Sequence, residues 1–353
     1  MMDLLFQVGL SNVCISLVLA TVALLVEVTL KRPHLAYLLW LSVFVKLLTP
    51  SLVAIPIITF SGQPEGLITT VNDQWLLYQD EAADPIPGGA LHAYLAAETW
   101  SAALRYGKIG LPLLWFLGSV LVFVGSSLRL YRFNRLLNTE SEVAPPDVQQ
   151  LAARLAGPLG LKTTPTIYTL SAHLSPMVWW LGGQVRIFIP TALLDQMDTR
   201  QFQWVLAHEL AHVRRRDYLV RCLEWLTSIL FWWNPVVWWA RHYLRANEEI
   251  CCDALVVSHL KPQPHTYAHS LLRAVEYLSL PVSEIPALAS GINNYGSLER
   301  RFRMILSATP KRRHLRGLQA CVLLCTAVVL PLSVTYSRCR PGKGRSCRAG
   351  PDA

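Results

Sequence analysis

Four stretches of this chain are long and apolar enough to cross a lipid bilayer, and no other feature of the sequence limits its fold so strongly. Val8 to Leu30, His34 to Phe60, Ile109 to Leu128 and Leu318 to Val334 each supply close to the ~20 residues that a helix needs across a ~30 Å hydrocarbon core. Composition agrees: 52% of the 353 residues are hydrophobic and only 16% are charged, which excludes a disordered chain and argues against an ordinary soluble enzyme. The first span opens with Met1-Met2-Asp3 and has neither a basic leader nor a small-residue cleavage site, so it reads as retained. Glu27 and Lys46 fall inside the first two spans, where they either snorkel toward the ends or pair between helices.

Lysine and arginine resist translocation, so basic residues near span ends mark the cytoplasmic side. Lys31 and Arg32 follow span one, Arg129, Arg132 and Arg135 follow span three, and Lys311, Arg312, Arg313 and Arg316 precede span four. The loop between spans two and three is acidic from Glu65 to Glu98, with Arg105 as its one basic residue, and is assigned outside. The resulting plan puts two transmembrane helices in residues 1–60, an external loop in 61–107, a third helix in 108–128, a cytoplasmic domain in 129–317, a fourth helix in 318–334 and a short external tail in 335–353. Both termini then lie outside a cell membrane crossed several times. The cytoplasmic segment holds 22 basic and 14 acidic residues, an excess suited to anionic membrane lipid. No aromatic and basic arrangement in it resembles a nucleic-acid platform, so no direct nucleic-acid contact is expected. Its cysteines should stay reduced, while Cys339 and Cys347, outside, either form one bridge or remain free thiols.

After a polar linker, Asn138 to Asp147, and an amphipathic stretch, Val148 to Leu155, the runs Thr166–Leu170 and Val185–Ile189 read as strands of a two- or three-stranded sheet. A helix is expected after Pro190, and another from Asp198-Thr199, whose side chains can cap it. That second helix carries His208-Glu209-Leu210-Ala211-His212. Positions i and i+4 share a helix face, so the two imidazoles converge as metal ligands, with Glu209 beside them to take a proton from an attacking water. Catalytic zinc needs a third protein ligand, and Glu248 and Glu249 are the candidates. They lie on the second arm of an expected helical hairpin, Tyr218 to Trp233 and Val236 to Leu260, broken at Asn234-Pro235. On that arm Glu249 and Asp253 share a face, which lets Glu249 bind metal while Asp253 accepts the outer N–H of a ligating histidine. Glu248, about 100° around the helix, is expected to be solvated or to face headgroups.

Other readings stay open. Asp217 either caps the following helix or joins the hydrogen-bond shell of the site. Trp225, Phe231, Trp232, Trp233, Trp238 and Trp239 surround the hairpin turn, where they suit either the inner membrane interface or a protein core. An oxyanion stabiliser is expected of such a site; His242, two turns before Glu249, is one candidate, and His265, Tyr267 and His269 are others. The segment Leu298 to Leu306, with Arg300, Arg301 and Arg303, is expected to be a helix lying along lipid headgroups.

With these motifs in order, the chain resembles the BlaR/MecR-type integral-membrane zinc metalloproteases. The resemblance rests on Ser175-Pro176, Ile187-Phe188-Ile189-Pro190, Leu206 to His212, Arg216-Asp217, Trp233-Asn234-Pro235, Glu249-Ile250-Cys251-Cys252-Asp253 and Leu298-Glu299-Arg300-Arg301-Phe302. It implies a mainly α protein, with four transmembrane helices and a cytoplasmic α+β gluzincin-like zinc metalloprotease domain inserted between helices three and four. It also implies His208, His212 and Glu249 as ligands of Zn2+, Glu209 as general base and Asp253 behind the ligands. In the sensor members a penicillin-binding domain follows the fourth span, whereas Thr335 to Ala353 alone follow it here, so β-lactam sensing is not expected to carry over. The function implied is cleavage of a cytoplasmic protein, a winged-helix transcriptional repressor by resemblance, in a transmembrane signalling pathway. The alternative is a non-catalytic membrane transducer with a structural zinc site. A homodimer is left open. An intramembrane protease is disfavoured, because Asp195, Asp198 and Arg200 on one side and Arg214 to Arg216 on the other flank the motif closely.

Overall fold

The computed structural model describes residues 2–30, 32–49, 53–60, 88–181, 183–278, 295–307 and 315–338. Cys339, Cys347, Gly182, the basic run 311–313 and the part of the expected external loop at 61–87 lie outside the described residues. The chain divides into two units, residues 1–12, 51–117 and 331–353 in one and residues 13–50 and 118–330 in the other.

Among the described residues, two helices are long and apolar enough to cross a membrane: α1 (Met2–Leu30), through Ser11–Leu30, and α3 (Gly88–Glu140), through Gly110–Glu140. The expected second and fourth spans are shorter than the sequence suggested. Helix α2 (Pro33–Leu48) has 16 residues and α11 (Leu315–Val329) has 15, so each rises roughly 23 Å. Proline is the reason. Thr49 takes the extended conformation, φ −80° and ψ 125°, that a residue before proline prefers, and Pro331 follows α11 two residues on. The residues expected to complete these spans form β1 (Val53–Phe60) and β6 (Leu332–Arg338), which pair in parallel with Val53 opposite Leu332. The stretch 88–107, read as loop, is already helical as the start of α3.

In the second unit, β2 (Ser141–Val143), β3 (Thr166–Leu170), β4 (Met177–Trp179) and β5 (Arg186–Pro190) form a four-stranded sheet in the order β2-β3-β5-β4. Strands β3 and β5 are parallel, and the two short edge strands are antiparallel to their neighbours. The expected linker from Asn138 is thus the last turn of α3 followed at once by β2. Leu130, Phe133 and Leu137 of α3 pack against Leu174, Met177, Trp179 and Phe188, and Trp179 Nε1 donates to Asn134 at 2.9 Å, so that helix end is tied to the sheet.

Helices α4 (Pro146–Ala156), α5 (Thr191–Gln196), α6 (Thr199–Arg215), α9 (Pro264–Leu278) and α10 (Tyr295–Leu306) enclose the main core with this sheet. Asp198 begins α6 with a capping box, accepting from Gln201 N at 2.6 Å while Gln201 returns the contact. Arg216 ends it at φ 60° and ψ 38°, a left-handed conformation that few non-glycine residues adopt. This turn starts α7 (Asp217–Leu230) directly and aims Asp217 back at α6. Asn234 then caps α8 (Pro235–Leu260), accepting from Val236 N at 2.9 Å, with proline in the first turn. Helix α8 serves two cores. Val237, Ala240 and Leu244 pack with Ala23 of α1 and Trp40, Val43 and Phe44 of α2, whereas Cys252 and Val256 join the sheet domain.

Candidate metal centre

Helix α6 buries one continuous face, and His208 and His212 lie on it at 0% and 2% exposure. Glu249 of α8 meets them: His208 Nε2 is 3.2 Å from Glu249 Oε2, and His212 Nε2 is 3.6 Å from Glu249 Oε1. One ligand atom from each of the three residues lies within 4.8 Å of the others. Zn–N and Zn–O bonds of ~2.0–2.1 Å in tetrahedral geometry put ligand atoms about 3.3 Å apart, so this nitrogen, nitrogen and oxygen set fits a zinc ion without large movement.

The outer nitrogens are held by two different carboxylates. His208 Nδ1 lies 2.9 Å from Asp253 Oδ1, and His212 Nδ1 lies 2.9 Å from Asp217 Oδ2. Each contact fixes a ring and turns its Nε2 toward Glu249, as outer partners of metal-binding histidines do. Of the two uses open to Asp217, the hydrogen-bond shell of the site is the one seen. Cys252 Sγ approaches both His212 Nδ1 and Asp217 Oδ2 at 3.4 Å. Burial and then Asp217 raise that thiol well above its ordinary range, so it sits there as a protonated hydrogen-bond partner.

Arg301 completes the cluster from α10. Its Nε and Nη2 donate to Asp253 at 2.7 and 3.0 Å, and its Nη1 lies 3.0 Å from Glu249 Oε2. This corrects the expectation of headgroup contact, since the side chain is 2% exposed. The amphipathic pattern carried the signal: Leu298, Arg301, Phe302 and Ile305 follow the i, i+3, i+4, i+7 spacing of a buried stripe. Tyr267 donates to Asp253 Oδ1 at 2.8 Å, with its hydroxyl 3.4 Å from His208 Nδ1, on the outer side of that imidazole.

Two further expectations are corrected. Glu248 is fully buried and accepts from Arg221 at 2.7 Å; the polar interior between α7 and α8, with Glu224 taking Arg245 at 2.8 Å, makes that burial tolerable. Burial, opposed by Arg221, pushes its carboxyl up to about 7. His242 is exposed, and its ring contact is with Tyr243; seven residues rise roughly 10 Å along a helix, which takes it away from the cluster. His265 and His269 are exposed as well.

Electrostatics follow from burial against pairing. Burial acts to lower His208, but its bonds to Asp253 and Glu249 prevail and push it up to about 10. Burial would raise Glu249, yet Arg301 and the histidines hold it at about 2. Glu209 has no such support: burial raises its carboxyl above the ordinary value, against His212 and His208, and its buried Oε2 has no hydrogen-bond partner. An unpaired acid whose pKa is raised, beside a cluster of groups that could bind metal, is a candidate proton acceptor and donor.

A buried cluster of two histidines and one carboxylate that could hold a metal ion, in a helical protein with apolar helices, is compatible with a metallopeptidase bound to a membrane. The chain belongs to the BlaR1 peptidase M56 family, which it matches over residues 6–305. Among curated relatives, it is 28% identical over 141 residues to the "Regulatory protein BlaR1" of Staphylococcus aureus, covering 39% of this chain and 24% of that protein. It is 26% identical over 114 residues to the "Methicillin resistance mecR1 protein" of the same species and to the "Regulatory protein BlaR1" of Bacillus licheniformis, covering 32% of this chain and 19% of each. The matched part thus spans about a fifth to a quarter of those relatives.

Proposed function

We propose that this protein is a membrane-anchored zinc endopeptidase that cleaves a cytoplasmic protein in a transmembrane signalling pathway. By analogy with the family, the substrate is a winged-helix transcriptional repressor. The reading is carried by one observation: His208, His212 and Glu249 converge within 4.8 Å beside the unpartnered carboxylate of Glu209. In this reading residues 129–317 face the cytoplasm, where the basic residues flanking the spans favour retention, and both termini lie outside.

His208, His212 and Glu249 would hold the zinc, with Asp253 and Asp217 fixing the two rings. Bound zinc supplies a Lewis acid that polarises a peptide carbonyl and acidifies water. Glu209 takes the proton of the attacking water and returns it to the departing amine, a task matched to its raised pKa. Arg301 favours the charged form of Glu249 and fixes its position, which would keep the carboxylate available as a ligand.

The test is metal analysis of detergent-purified wild type, His208→Ala, Glu249→Ala and Glu209→Gln, run beside proteolysis of a candidate repressor. About one zinc per wild-type chain is expected by the ligand count, reduced in the first two variants, with zinc kept and cleavage lost in Glu209→Gln. Signalling that survives Glu209→Gln would favour the transducer with a structural zinc. Absence of zinc from wild type would overturn the site.

A further inference from the structure

The hairpin of α7 and α8 has an uncharged tip. From Trp225 to Ala240 there is no Asp, Glu, Lys or Arg, and the first charges on the two arms, Glu224 and Arg241, meet at 3.4 Å, closing the tip at one level. Beyond that level the hydroxyls are satisfied within their own helix: Thr227 and Ser228 donate to carbonyls one turn back, at 2.8 and 2.7 Å, and the Asn234 side-chain oxygen accepts from Val236 N. This suits low-dielectric surroundings, although Asn234 Nδ2 and Trp232 Nε1 are buried without a partner. The outer surface is apolar and open, with Leu226 at 45%, Trp233 at 50%, Trp238 at 58% and Trp239 at 59% exposure.

Helix α3 provides a ruler for where this tip lies. Trp225 Nε1 donates to Ser126 at 3.1 Å and its ring lies 5.9 Å from Phe123. Trp232, at the turn, lies against Gly118, where a Cβ would come within 2.4 Å of the indole. The hairpin therefore climbs α3 from Ser126 to Gly118, eight residues or roughly 12 Å. Arg129 marks the basic end of the span, and half a hydrocarbon core is ~15 Å. The turn is thus level with the middle of the bilayer. The open face is also continuous in character with the neighbouring span, where Leu121 and Val124 are 75% and 46% exposed.

The geometry points to a re-entrant hairpin: residues 225–240 insert into the inner leaflet, with Trp233, Trp238 and Trp239 against lipid acyl chains and the turn at the depth of Gly118. This rests on the reading of α3 as a membrane span. The hairpin is continuous with Glu248 and Glu249, so the candidate metal centre is held close under the membrane surface and cannot drift into the cytosol with its substrate.

The experiment uses the full chain with benzoylphenylalanine placed singly at Trp233, Trp239, Leu121 and Val143. Each protein is irradiated in vesicles of phosphatidylcholine and phosphatidylglycerol and read by mass spectrometry. Acyl-chain adducts are expected at 233, 239 and 121 and not at 143, which is exposed at the edge of the sheet. Adducts at 121 with unmodified 233 and 239, with adducts there only to headgroups, or with crosslinks there between copies would overturn the hairpin's insertion while leaving α3 as a span. Loss of acyl adducts at 121 itself would overturn the spanning reading on which the proposal stands.

Discussion

Arg301 grips Asp253 with two hydrogen bonds, 2.7 and 3.0 Å long, while its remaining terminal nitrogen reaches Glu249 at 3.0 Å. One guanidinium on α10 thereby neutralises two buried carboxylates on α8, one facing the candidate metal and one behind a histidine. Removing it strands both charges. Arg301→Ala is expected to lower stability by about 3–5 kcal/mol, as loss of one partner of a buried ion pair does, read as a fall in the thermal midpoint of detergent-solubilised protein. Arg301→Lys should recover only part, since an ammonium cannot reproduce the planar fork.

Asp253 and Asp217 do not touch the space between the ligands, so their effect should be on affinity. Asp253→Asn and Asp217→Asn are each expected to weaken zinc binding about 10- to 100-fold, measured by competition with a chelator. Glu209→Gln should leave the same titration nearly unchanged. Equal losses in all three would contradict the division of roles.

Metal-free protein should lose stability toward alkaline pH. His208 is raised to about 10 in the folded chain from an unfolded value near ~6.5, so its contribution is complete below about 6.5 and vanishes as pH rises through about 10. The thermal midpoint should fall between pH 7 and 9.5, and zinc should abolish that fall by taking the place of the proton. Glu249, held at about 2, acts in the opposite sense: its contribution is present above an unfolded value of ~4.3 and is lost as pH drops through about 2, which an acid melt between pH 5 and 2.5 would reveal.

Gly118 admits Trp232 because it has no side chain. Gly118→Val should cost about 1–3 kcal/mol by overpacking. Trp232→Ala combined with it should cost less than the two single changes added, since contacting residues couple. Additive losses in thermal melts would mean that the ring does not lie on α3.

Glu27 joins three elements: it accepts from Trp40 of α2 at 2.9 Å, Asn247 of α8 at 3.2 Å and Arg300 of α10 at 2.6 Å. Glu27→Ala is expected to cost about 1.5–3 kcal/mol, the scale of hydrogen bonds to a charged group. Arg300→Ala should cost less, because that side chain is 51% exposed and its pairing is screened. A Glu27→Ala melt that overlays wild type would remove Glu27 from the framework.

Much of this arrangement was legible in local pattern. The i, i+4 pair on α6, the cap at Asp198, the break at Asn234-Pro235 and the shared face of Glu249 and Asp253 all follow from helical geometry over a few residues, and the structure has each of these elements. Spans two and four were read too long, because apolar, β-branched residues suit a span and a strand alike. Only the pairing of β1 with β6 separates the two outcomes. Lys46, read as snorkelling or pairing between helices, is buried and donates to the Leu330 carbonyl at 2.8 Å, just beyond the end of α11, so it bridges two helices rather than snorkelling.

The sequence by itself determined which residues share a face and which segments are apolar, since both depend on spacing along one helix. The tertiary structure decided which distant groups those faces meet. Glu249 faces the Nε2 atoms of both histidines, whereas Glu248 pairs with Arg221 of α7 and approaches only the outer Nδ1 of His212, at 3.6 Å, and Arg301 is internal because Asp253 and Glu249 pair with it from α8. A charge on an amphipathic helix can face water or a buried counter-charge with the same local pattern. The choice is made by the desolvation cost and by the partner that offsets it, and that partner lies on another element.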